Sequence, residues 1–203
     1  MSVKKETTCA NVTFLVYSPA VVIAGFAFIN AQLSFILLSP DHFDIPQSKI
    51  GHATSKVLFT AYTISLLATP FAGYIYDIIG RRKTILFSML ANVVLLFIMP
   101  YTAPYIWLLV ATRTMISLFN TIMETSPLVV DYIKKESRGT AVALGTIGML
   151  VGEGFGMAVL LGLTIGMRVE EAHAYAAVVL LVLTITGSFC MREPFLRSHE
   201  KIE

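Results

Sequence analysis

Long apolar runs separated by short polar stretches dominate the chain. Six of these runs are long enough to cross the hydrocarbon core of a bilayer, which takes about twenty residues of helix. In lipid they must be helical, because hydrocarbon offers no partner to an exposed backbone N–H or C=O. The pattern predicts helices over Phe14–Leu38, Ser55–Ile79, Thr84–Met99, Pro104–Glu124, Gly139–Leu163 and Glu171–Met191. The expected organisation is a tail over residues 1–13, a six-helix transmembrane bundle over 14–191 and a second tail over 192–203. The fold class is an all-α membrane protein, with no soluble domain or low-complexity tract.

Charge then sets the orientation. Lys4, Lys5, Arg81, Arg82, Lys83, Lys134, Lys135, Arg138, Arg192, Arg197 and Lys201 fall on one side of the six runs, and Lys49, Lys56 and Arg168 on the other. Basic residues concentrate in cytosolic connections, so both termini are expected in the cytosol. Tyr101, Tyr105 and Trp107 then mark the outer interface, as an aromatic belt. The sequon Asn11-Val12-Thr13 falls on the cytosolic side and is expected to carry no glycan. The first run is too long for the apolar core of a cleaved signal peptide and reads as a signal anchor.

Composition agrees and narrows the function classes. Of 203 residues, 56% are hydrophobic and 14% charged, against about 25% charged in a soluble domain. A net charge of +2 without a basic, aromatic-rich patch excludes a nucleic-acid partner. Cys9 and Cys190 are too few and too far apart for a disulfide framework or a zinc site, and the topology puts both near the reducing cytosol. The outer connection from Ser39 to Thr54 holds Asp41, His42, Asp44 and His52, which read as a solvated loop rather than a metal site. No catalytic constellation and no nucleotide-binding loop is present, so neither an enzyme, nor a cofactor, nor ATP-driven transport is indicated.

Between the second and third helices the chain reads Gly73-Tyr74-Ile75-Tyr76-Asp77-Ile78-Ile79-Gly80-Arg81-Arg82-Lys83. This resembles the signature loop of the major facilitator superfamily, G-x-x-x-D-R-x-G-R-R/K, with Ile78 standing where the family usually has arginine. Between the fourth and fifth helices, Asp131 followed by Lys134, Lys135 and Arg138-Gly139 resembles a second family feature. Arg113 resembles the arginine of R-x-x-x-G-x-G in helix four, although Ser117 and Phe119 replace its glycines. The resemblance covers essentially the whole chain as an amino-terminal six-helix half. It implies that Gly73, Asp77, Gly80, Arg81, Arg82 and Asp131 serve a cytosolic gate. On physical grounds Gly73 allows close helix contact, Gly80 permits a tight turn, and Arg81 reaches Asp131 or Glu136.

Polar residues inside the apolar runs are the candidates for chemistry. Arg113, Ser117, Asn120 and Glu124 fall on one face of helix four at about 100° per residue. Intramembrane charges normally face a cavity or a partner, so this stripe is expected to line water. In the first helix, Asn30 and Ser34 share a face and suit a solute's hydrogen bonds. Glu153 lies near mid-membrane in helix five, either as a proton-coupling carboxylate or as the partner of Arg113. Gly148, Gly152 and Gly156 recur every four residues and form one groove for close helix packing. In the resembled family this helix faces the other half, and its antiporters carry a Gly-Pro pair where Gly152-Glu153 stands here.

The expected function is secondary active transport of a small solute by alternating access, by symport or antiport. Transporters of the resembled family place the site between two six-helix halves. The second half is expected from further sequence, from a second copy of this chain or from a separate chain. The alternative is a non-transporting structural or vestigial half-bundle subunit. Besides the solute and the lipid bilayer, no other partner is implied. The sequence names neither the solute, nor the coupling ion, nor the particular membrane.

Overall fold

A computed structural model describes residues 9–124, 129 and 133–189 of the chain. Asp131, Cys190 and the tail over 192–203 lie outside the described residues, as does the side chain of Glu124. Among the described residues, six helices are long and apolar enough to cross a membrane. They are α1 (Cys9–Leu38), α2 (Ile50–Ile79), α3 (Arg81–Ile98), α4 (Ile106–Glu124), α5 and α6 (Val169–Ser188). The fifth starts as Arg138–Gly154, widens into π-helical Phe155–Leu160 and closes with Leu161–Leu163.

Helices α1 and α2 each start five residues earlier than the apolar runs alone predict. At about 1.5 Å per residue, the 30 residues of α1 reach well beyond the roughly 30 Å hydrocarbon core. Helical backbone therefore continues into the interfacial regions, and residues 9–13 belong to α1 rather than to a tail. Helix α2 gains a turn at its start because Pro46 opens a 3-10 segment, Gln47–Lys49, that leads directly into it. Its other end is set by Gly80, whose φ of 93° lies in the left-handed region. A Cβ there would crowd the backbone, and α3 starts at the next residue.

Helix α1 is the axis of the bundle and the most buried of the six. It packs along α5 and α6, while α2 lies along α4, and α3 along both α4 and α6. Phe14, Phe28, Leu33, Ile36 and Leu37 of α1 are buried against Ile85, Leu96, Leu109, Ile116 and Ala176 of its neighbours. Polar links lock the ends of this core. The Tyr17 hydroxyl donates to the Leu183 carbonyl at 2.7 Å, and the Tyr76 hydroxyl donates to the Ile122 carbonyl at 2.5 Å.

The seam between α1 and α5 is made by backbone. A Cβ added at Gly148, Gly152 or Gly156 would stand 2.3, 2.1 or 2.3 Å from the carbonyl oxygens of Val16, Ala20 and Ala24 respectively. Only a hydrogen fits there, and glycine Cα–H groups aimed at carbonyls make weak hydrogen bonds of about 0.5–1 kcal/mol each. The groove that the sequence shows on helix five is thus filled by α1 of the same bundle, and the side of α5 left open is another one. Together with α2, α5 is the most exposed helix. Phe59, Leu66, Leu67 and Phe71 on α2, and Ile147, Leu150 and Val151 on α5, cover these open sides.

Candidate functional site

The polar stripe of α4 lies inside the bundle. Ser117 follows Arg113 by one helical turn, so the two side chains meet: Arg113 Nη1 donates to Ser117 Oγ at 2.7 Å. Across the gap to α1, Nη2 donates to Asn30 Oδ1 at 2.6 Å. Phe26, one turn before Asn30 on the same face of α1, lies beneath the guanidinium, with its ring centroid 4.6 Å from Arg113 Cζ. Tyr62 of α2 lies beside Phe26, with its ring centroid 5.7 Å from Cζ, and meets Phe26 edge to face at 6.2 Å between centroids. Arg113 is 0% exposed. The expectation of a stripe lining open water is corrected in this conformation, because the two rings and the neighbouring helices cover it.

Burying an ion costs several kcal/mol even after relaxation. Two hydrogen bonds from a charged group, at about 1.5–3 kcal/mol each, and two ring faces, at about 1–2 kcal/mol each, offset much of that. They do not neutralise the charge. Among the described residues no carboxylate lies within ion-pairing distance of Arg113, and its Nε has no hydrogen-bond acceptor. Glu124 is eleven residues along the same helix, about 16 Å away at 1.5 Å per residue. Glu153 is not the partner either. Its neighbour Gly152 packs on Ala20, ten residues and about 15 Å along α1 from Asn30, and Glu153 itself points out of the bundle, exposed.

Asn120 turns away from Arg113 toward α3, where its Oδ1 accepts from Asn92 Nδ2 at 2.8 Å. The two flank a small void of about 20 Å³ reached also by Phe26 and Thr184, a size that suits one water molecule. A larger cavity of about 260 Å³ lies further along α1, lined by Ser18, Val22, Met123, Thr146 and Met149 among others. Both spaces touch Val22, so they follow one another along α1 toward its amino-terminal end. Ser34, one turn beyond Asn30, is half-buried.

The motif residues spread out at the α2–α3 turn. Asp77 and Arg82 are exposed and Arg81 is half-buried. Glu136 is exposed and forms no ion pair among the described residues, so it does not meet Arg81 in this conformation. Gly73 has no neighbour within 4 Å of an added Cβ; the close helix contact expected of it is absent inside this bundle. At the opposite end, His42 is not solvated as its loop suggests. Its ring is buried, with Nδ1 3.0 Å from Ser39 Oγ and Nε2 3.4 Å from Glu170 Oε1 at the start of α6. Nearby His173 is fully buried, with Nδ1 2.8 Å from the Val169 carbonyl and its ring edge against Phe28.

Sequence reasoning singled out Arg113, Ser117 and Asn30, and these three converge. It missed Phe26 and Tyr62. Phe26 is legible in retrospect, since it precedes Asn30 by four residues and must share its face. Tyr62 is not, because nothing local indicates which α2 residue faces α4. Asn92 is equally hidden, as one of several polar residues on α3.

A six-helix apolar bundle enclosing an arginine, held by an amide, a hydroxyl and aromatic rings, is the architecture of a polytopic membrane transporter half. The chain matches the Major Facilitator Superfamily over residues 12–202 and belongs to that family, whose members are membrane transporters. It is an integral, multi-pass membrane protein. Among curated proteins, none matches the chain.

Proposed function

We propose that this protein carries a small solute across its membrane by secondary active transport, alternating access between the two sides, as one half of a twelve-helix unit. The observation that carries the reading is Arg113, a fully buried charge held between α1, α2 and α4. Intramembrane ionisable residues are expensive and mark solute or ion pathways. Asn30 and Ser117 bind the solute alongside it, and Asn120 and Ser34 flank it. The cavity at Ser18 and Thr146 is the approach from the side that the basic connections mark as cytosolic.

The second half covers the open faces of α2 and α5. Glu153 supports this: a carboxylate near mid-membrane is costly against lipid, so its exposed position calls for protein or water. There it serves proton coupling, and Asp77, Arg81 and Arg82 serve the cytosolic gate with Asp131. A second reading is a non-transporting half-bundle. It is favoured by the fact that Arg113, Ser117 and Asn120 are all buried and hydrogen-bonded within the chain, as a purely structural set would be.

The two readings separate in proteoliposomes. Transport predicts uptake of solutes from a labelled metabolite mixture by wild-type protein, and its loss by about a hundredfold in Arg113→Gln, the order expected when a buried charged contact is truncated. Equal retention of every solute by wild type and empty vesicles, with the protein in stable complex with other membrane proteins, would sink the transport reading.

A further inference from the structure

We infer that the solute bound at Arg113 is an anion, with a carboxylate, sulfate or phosphate group that completes the guanidinium. This rests on the transport reading above and goes beyond it by fixing the charge of the cargo. Three observations converge. The guanidinium is 0% exposed, so water does not solvate its charge. Its partners are Asn30, Ser117 and Tyr62, none of them a carboxylate, and among the described residues no carboxylate reaches it. One of its N–H groups, at Nε, points at no acceptor.

A charge in this state is stable only if something else balances it. Transport proteins bury uncompensated charge where the cargo supplies the opposite sign, because the pair then forms only in the loaded state. Asn30 and Ser117 suit an anion as well. When Arg113 turns toward an incoming oxyanion, the Asn30 amide N–H₂ and the Ser117 O–H donate to it, whereas a cation would be repelled by the guanidinium.

The rings define the entrance. Tyr62 is 44% exposed and lies on the open side of α2, with Phe26 behind it and Arg113 covered by both. A rotation of the Tyr62 side chain about χ1 uncovers the guanidinium from the side where the second half sits, without unpacking α1 from α5. An anion with an apolar or aromatic body gains contact with the same rings on entry.

The test uses the full chain, purified in nanodiscs, and reads thermal stability and binding. The probes are benzoate, succinate, sulfate and inorganic phosphate, each as sodium salt, with benzamide, succinamide and benzylammonium as uncharged and cationic counterparts. At least one anion should raise the melting temperature and none of the counterparts should. In Arg113→Gln the affinity for that anion should fall by at least about thirtyfold, the lower bound for truncating a buried charge pair, and Arg113→Lys should recover part of it. Asn30→Asp is the second variant, which keeps the test decisive if Arg113→Gln does not fold. Its carboxylate takes the place of an amide already 2.6 Å from Nη2, so it neutralises the arginine from within. It should melt higher than wild type and no longer respond to anions. Binding of only a neutral or cationic probe, no response to any anion, or an anion response unchanged in Asn30→Asp would overturn the proposal. Flux in proteoliposomes keeps the two readings apart. Flux of uncharged solutes alone defeats the anion assignment and leaves transport standing. Anion binding that depends on Arg113 without any flux supports the anion site and defeats transport.

Discussion

Among the glycines, Gly152 has the least room for a side chain. An added methyl would lie 2.1 Å from the Ala20 carbonyl oxygen and 2.8 Å from the Ala20 Cα. The neighbour is backbone within a helix, so it cannot rotate away. Gly152→Ala should cost about 1–3 kcal/mol, as overpacking does, measured by thermal melting in detergent. Gly154, two residues on, has nothing within 4 Å of an added Cβ, and Gly154→Ala should leave the melting temperature within error. The contrast tests the seam itself, because both changes alter helix propensity alike. The sequence displays the four-residue spacing of these glycines but not the helix they serve. Spacing fixes a face, whereas the identity of the partner depends on how six helices assemble.

At the scale of elements, the Tyr76 side chain links α2 to α4 at one end. Tyr76→Phe removes the hydroxyl that donates to the Ile122 carbonyl and should cost about 1 kcal/mol, the net value of such a bond, read as a lower melting temperature. Its neighbour Asp77 is exposed and forms no ion pair among the described residues. If it meets the second half in the gate, Asp77→Asn should slow cycling more than it weakens solute binding, seen by comparing flux with equilibrium affinity. An equal loss in both would assign Asp77 to the site instead. Four of the six helices lie within three residues of the bounds that hydropathy gives, and α1 and α2 each start five residues earlier, because chain length in lipid is set by bilayer thickness. Helix five carries what hydropathy does not reveal, the π-helical turn Phe155–Leu160. The polar residues were legible one by one, and their partners only in part. Arg113 and Ser117 are local to one helix. Asn30 was found as a polar residue on α1, but its bond to Arg113 spans 83 positions. His42 was misread because loop composition is polar, while the contact that buries it comes from Glu170 on the last helix.

For the whole molecule, the unequal distribution of Lys and Arg remains the basis for orientation. It predicts that Asn11 carries no glycan in a eukaryotic membrane, checked by the absence of a mass shift after glycosidase treatment. A shift would invert the topology and place the cavity at Ser18 on the opposite side. The bundle's asymmetry of burial also matters at this scale. Four helices are held among one another, while α2 and α5 turn their apolar faces outward, and Glu153 sits on one of those faces.

The ladder of three glycines against three carbonyl oxygens also shapes how the chain can vary. On α5 the seam is specified by side chains that must be absent. On α1 it is specified by peptide groups, which every residue possesses. Val16 and Ala20 are only half-buried, so their side chains are freer to differ than the glycines facing them, whereas Ala24 and Ala27 beside Gly156 are buried. Opposite Gly148 and Gly152, a comprehensive substitution scan would therefore find intolerance on α5 with little matching pattern across the seam. Two helices can be in the tightest contact in a protein and still leave no trace of each other in the residues that vary.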